Sequence, residues 1–163
     1  MAREMKIQQF LNLLETGDFE KLIGVTESEV IEFKGAPYQL DTTKSKLELA
    51  KDVSALANVR GGIIVMGIKT SIQVDHPREV AAEIRSFPDA MIDVKKYENI
   101  IAEWIYPKLN PEITWIPSVI DRSKGLAYIL VPESETSRKP FLTVTILQQE
   151  NDRVLGNVVG FFQ

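Results

Sequence analysis

The sequence predicts an α+β fold, a two-layer sandwich in which a mixed β-sheet carries helices mainly on one face. Three observations point there. The stretch from Thr43 to Asn58 has apolar residues at helical spacing, and the run that follows it is apolar on both faces. The second half of the chain then alternates as a series of strands, without strict strand–helix repetition.

In order, Ile7, Phe10, Leu11 and Leu14 form the stripe of an amphipathic helix over 4–16, and Gly17-Asp18 ends it. Val30-Ile31-Glu32-Phe33-Lys34 alternates and is stopped by Gly35-Ala36-Pro37, which reads as a strand. In the helix Thr43–Asn58, Leu49, Ala50, Val53, Leu56 and Ala57 make one buried face. Ser45-x-x-Glu48 is a capping-box candidate, with Asp41 or Thr42 as an earlier start. Asn58 and Gly61-Gly62 supply the stop. Gly62–Lys69 reads as a central strand covered on both sides, with Gly67 marking a bulge or a close backbone approach. A short helix is expected near Glu79–Arg85 and a longer one over Val94–Tyr106, ended by Pro107. Strands are expected at Ile113–Ile120, Leu126–Val131, Phe141–Leu147 and Asn157–Phe162, with a hairpin turn at Asp121–Gly125.

A chain of 163 residues has the size of one domain, and no linker or repeat divides it, so a single domain over 1–163 is expected. Cysteine is absent, which excludes disulfides, thiolate metal sites and cysteine nucleophiles. The longest apolar run, Ile63–Met66, is far short of a membrane span, and nothing after Met1 resembles a secretory leader. The expectation is a cytoplasmic protein. Its net charge of −4 opposes general, tight nucleic-acid binding, yet residues 34–69 hold six basic and three acidic side chains. A nucleic-acid contact would therefore use Lys34, Lys51, Arg60 and Lys69. The same charges also suit an ordinary solvated face.

Gly62…Gly67-Ile68-Lys69-Thr70 misses a phosphate-binding loop by one residue, and Ile-Ile-Val-Met suits a buried strand better than a cradle of amides. His76 is the only histidine and precedes Pro77 in a polar loop, which leaves no partner for histidine catalysis or a histidine metal cluster. Glu27, Glu29 and Glu32 with Lys34 are more suggestive. Glu32 and Lys34 share a strand face, roughly 7 Å apart. Glu27 has the opposite parity and joins that face only if the chain turns off the strand before Ser28. Converging carboxylates and an ammonium would suit a divalent cation held against a phosphodiester, and a surface ion pair has the same spacing.

These residues also carry a resemblance. Glu27-x-x-x-x-Glu32-Phe33-Lys34, then Ser54-Ala55-Leu56-Ala57-Asn58-x-x-Gly61-Gly62, then an apolar strand reaching Gly67, resembles the Schlafen-type Alba-like domain. Val131-Pro132-x-Ser134 followed by Pro140 is similar to that family's later pattern, so the likeness covers roughly 20–140. The family includes divergent AAA proteins and transcriptional regulators, so the resemblance implies a nucleic-acid-binding or regulatory domain, with Asn58, Gly61, Gly62 and Gly67 as structural motif residues. No phosphate loop is present to carry the family's ATP-binding label. In Schlafen ribonucleases, glutamates at the Glu27 and Glu32 spacing and a third acid form the catalytic site, which implies Mg or Mn as cofactor. Lys69 and Thr70 occupy the place of that third acid, and Asp75 is the nearest substitute, so weak nuclease activity or none is expected. An arginine-glycine segment is echoed by Arg153–Gly156. A protein-interaction module that forms a homo-oligomer through a sheet edge or the N-terminal helix is the remaining alternative.

Overall fold

A computed structural model describes residues 2–148 and 154–161. In chain order the elements are α1 (Ile7–Glu15), β1 (Ile31–Lys34), α2 (Thr43–Asn58), β2 (Gly62–Met66), β3 (Ile68–Ile72) and β4 (Glu79–Ile84). Then come α3 (Val94–Trp104), β5 (Ile105–Tyr106), β6 (Glu112–Pro117), β7 (Gly125–Val131), β8 (Leu142–Gln148) and β9 (Val154–Phe161), with 3-10 turns at Phe19–Leu22, Asp89–Met91 and Thr136–Arg138. The fold is α+β, with a mixed sheet. Two compact units share the chain: Met1–Pro37 with Gly62–Asp93 and Glu112–Leu130, and Tyr38–Gly61 with Val94–Pro111 and Val131–Gln163.

The first unit holds a four-stranded sheet in the order β1-β2-β7-β6. β1 runs parallel to β2, Ile31 opposite Ile63 and Lys34 opposite Met66, while β6 and β7 are antiparallel. Phe10 and Leu14 of α1 enter a core with Phe19, Leu22, Ile31, Phe33, Val65 and Tyr128. The Phe10 and Phe33 rings lie 5.8 Å apart. The α1 stripe is as expected, but the helix begins at Ile7 rather than residue 4. Its approach is extended instead, because Arg3 bridges to Val25: the Arg3 N–H donates to Gly24 O, and the Arg3 carbonyl accepts from Thr26 N–H.

The expected strand Gly62–Lys69 is two strands. β2 is buried throughout, and at Gly67 (φ +103°) the chain leaves the sheet to start the β3–β4 hairpin. The short helix expected near Glu79–Arg85 is instead β4, antiparallel to β3 with Glu79 opposite Ile72. Pairing with β3 across the hairpin and with the distant Val25–Thr26 segment overrides a weak local pattern there. The strand expected over Ile113–Ile120 runs as Glu112–Pro117, because Val119 N–H donates to Gly17 O outside the sheet. Asp121 closes the expected turn by accepting from the Ser123 N–H and hydroxyl.

The second unit holds α2, α3 and the antiparallel sheet β5-β8-β9. α2 has the expected bounds and buries Leu49, Ala50, Val53, Leu56 and Ala57. Its cap is the earlier start: Thr42 Oγ1 accepts from Ser45 N–H at 3.1 Å, which displaces the Ser45–Glu48 box. α3 buries Tyr97, Ile100, Ile101 and Trp104 and stops two residues before the expected end. Ile105 and Tyr106 pair with Thr143 and Leu142 instead, so their backbone groups serve a sheet. β9 begins three residues before the expected Asn157–Phe162, and Phe162 lies outside the described residues. Among the described residues no helix is long and apolar enough to cross a membrane.

Candidate functional site

The chain does turn at Ser28, but it sets Glu27 beside the edge of β1 rather than on the face of Glu32 and Lys34. The Ser28 hydroxyl accepts from Val30 and Ile31 N–H, and Ser28 N–H donates to Ile31 O, so the chain bends just before β1. This carries the Glu27 side chain alongside the strand, where Oε1 accepts from Phe33 N–H at 3.0 Å. Glu32 and Lys34 flank Phe33 on the other face of β1, with Lys34 Nζ 3.3 Å from Glu32 Oε1. Glu27, Glu32 and Lys34 are thus brought together around one residue, all half-buried.

A fourth group joins them that sequence reasoning missed. Glu27 N–H donates to the Glu79 carbonyl at 2.9 Å, Thr26 bridges to Val80, and the Glu79 carboxylate acts on the Glu27 carboxyl. Burial pushes the Glu27 carboxyl up to about 7, and the charges of Glu79 and Glu32 act in the same direction against the pull of Phe33 N–H. The signal for Glu79 was the turn-rich Asp75-His76-Pro77 between two β-compatible runs. Read as a hairpin, it places Glu79 opposite Ile72 at the end of β3.

The other expected residues separate. Lys69 is exposed on β3 opposite Glu83, and Asp75 is exposed in the loop at the hairpin tip. The carboxylates that act on Glu27 are Glu79 and Glu32. Among the described residues no three acidic or histidine side chains are grouped to hold a metal ion. As arranged, these carboxyls therefore do not fit the cation that the resemblance implies. Lys51 and Arg60 are exposed and belong to the second unit. His76 Nδ1 accepts from Arg78 N–H within the hairpin loop, and the near-miss of a phosphate loop is the buried strand β2.

The glycine-rich motif is a structural joint. Asn58 is buried and pairs twice with the Phe141 backbone: its Nδ2 donates to Phe141 O at 3.0 Å, and its Oδ1 accepts from Phe141 N–H at 2.6 Å. Gly61, at φ +73°, lies against the backbone of Val131, Pro132 and Glu133, where a Cβ would come within 2.4 Å of Val131 O. Asn58-x-x-Gly61 and the Val131–Pro140 pattern are thus two halves of one contact. Gly62 opens β2, and Gly67 accepts from Arg85 N–H and donates to Lys34 O where β2 passes into β3.

A family model described as Schlafen, AlbA_2 matches residues 27–156. The chain belongs to the Schlafen AlbA_2 family. The match begins at Glu27 and extends past the 20–140 read from the motifs, taking in Arg153–Gly156; Arg153 itself lies outside the described residues. No curated protein matches the chain. Among solved structures it is similar to the N-terminal domain of an ATP-dependent DNA helicase RecG-related protein from Nitrosomonas europaea, determined by solution NMR. That likeness has 23% identity and a TM-score of 0.46, and covers 85% of this chain and 80% of the other.

Proposed function

We propose that this Schlafen AlbA_2 chain is a cytoplasmic nucleic-acid-binding domain of a regulatory kind, working through Lys34, Lys51, Arg60 and Lys69. The observation that carries the reading is the family match across 27–156. The positive balance of residues 34–69, in a chain whose net charge is −4, supports it. Such binding is weak and salt-sensitive. With three or four phosphate contacts, the log–log salt slope of affinity is about −3. Fluorescence anisotropy with duplex DNA, single strands and structured RNA tests this. Lys51→Glu is expected to weaken every sequence about equally, because phosphate contacts position rather than specify. No detectable binding at low salt to any of the three would remove the proposal.

Glu79 favours a second reading, a metal-dependent endoribonuclease using Glu27 and Glu32. A phosphodiesterase cation needs several oxygen ligands, and although Glu79 brings a third carboxyl toward Glu27, the three are not grouped as a ligand set, so weak cleavage or none is expected. The test is incubation of structured RNA with magnesium or manganese, wild type against Glu32→Gln. Cleavage lost in that variant would move this reading ahead of the first.

A further inference from the structure

α3 has a second face that the core does not use. Lys95, Glu98 and Asn99 stand at successive helical positions opposite the buried Tyr97, Ile100, Ile101 and Trp104. After β5 the chain turns back, and Lys108–Pro111 forms the facing wall of a recess of about 390 Å3. That wall is held in place, since the Arg138 guanidinium donates to Lys108 O while stacked 5.9 Å from the Phe141 ring centre. The floor is the buried Leu109, continued by Ala102 and Pro111.

The rim is polar and open. Lys95, Asn99, Lys108 and Asn110 are exposed, and Lys95 meets Glu98 at 3.9 Å, too long and too solvated to hold the ammonium firmly. Two ammoniums provide point charges for a phosphate. Two carboxamides each offer two donors and an acceptor, which suits the edge of a heterocycle, and Glu98 can accept from a sugar hydroxyl. The apolar floor suits a flat ring. The volume lies at the low end of small-molecule pockets, roughly 300–1,000 Å3, which is room for one nucleotide rather than a strand.

We propose that the recess between α3 and Lys108–Pro111 binds a mononucleotide, with Lys95 and Lys108 on the phosphate and Asn99 and Asn110 on the base. None of these residues belongs to the proposed nucleic-acid interface, so the two readings stand or fall separately.

The test is titration of the 163-residue chain with AMP and UMP, followed by amide NMR and calorimetry, with inorganic phosphate and adenosine as separate arms. The expected result is shifts at Lys95, Asn99, Lys108 and Asn110, weaker binding of phosphate alone, and at least tenfold loss of AMP affinity in Lys108→Ala. All four side chains are exposed, so circular dichroism should stay unchanged in the variant. Lys51→Glu should leave AMP binding intact even where it abolishes binding to strands. The proposal is overturned if adenosine binds as well as AMP, if phosphate binds as well as AMP, if Lys108→Ala binds AMP normally, or if millimolar AMP shifts none of the four.

Discussion

With a carboxyl that titrates at about 7, Glu27 is half protonated at neutral pH. Its ordinary value is 4.5, so between those limits the folded chain binds more proton than the unfolded chain. The stability this group contributes is fully present below about 4.5 and is lost as pH rises through about 7. Glu27→Gln keeps an acceptor for Phe33 N–H and removes the titration. The difference in melting temperature between wild type and that variant should therefore move against wild type from pH 5 to pH 8. A flat difference would show that the Glu27 carboxyl titrates as an ordinary one in the folded state. The motif glutamates and Lys34 were legible in the sequence as types at a spacing, but their convergence depended on a turn at Ser28 that spacing cannot reveal. Glu79 was illegible because its neighbour Glu27 lies 52 residues earlier in the chain. The role of Gly61 was half legible: a helix stop was readable, whereas its contact with Val131–Glu133 was not. Gly61→Ala should cost on the order of 2–4 kcal/mol in chemical unfolding, since both the left-handed backbone and the contact with Val131 O oppose a side chain. Gly35→Ala, where a Cβ meets nothing within 4 Å, should change stability by less than about 0.5 kcal/mol.

Among the elements, α2 was legible from end to end because three local signals agree: the apolar stripe, the cap and the glycine stop. Thr42→Ala should remove the bond to Ser45 N–H and cost about 1 kcal/mol, read from the midpoint of urea unfolding, while Ser45→Ala should cost less. The reverse order would restore the Ser45–Glu48 box as the true start. β4 was not legible, because Glu79–Ile84 buries only Val80 and Ala81 and takes its form from β3 and from the Val25–Thr26 segment beside it. For the same reason β5 was merged with α3. Two residues cannot announce a strand when their partners lie in β8.

For the whole molecule, each unit is assembled from three separated segments of chain, so neither is encoded in one stretch. Ending the chain at Leu130 keeps every segment of the first unit and strips the second of β8, β9 and the Phe141 backbone that Asn58 grips. α2 also loses the hydrogen bond between Ser54 and Thr143, both buried. Amide NMR of the shortened chain should keep dispersed signals for 62–93 and 112–130 and lose dispersion over 38–61 and 94–111. Retained dispersion in those last segments would mean that α2 and α3 need no sheet. The pattern of elements had set the class and the length the size, but not this interleaving, which follows from pairings made late in the chain.

β1 lies at one end of the four-stranded sheet, and three of its outward backbone groups are already engaged by the chain itself: Phe33 N–H by Glu27, Ile31 N–H and O by Ser28. An open sheet edge invites a strand from another copy, so the glutamate doubles as a guard against self-association. Glu27→Ala should leave one donor facing outward and raise the light scattering of concentrated samples, whereas Glu27→Gln should not. A Glu27→Ala protein that stays monodisperse would assign the protection to the Ser28 turn alone.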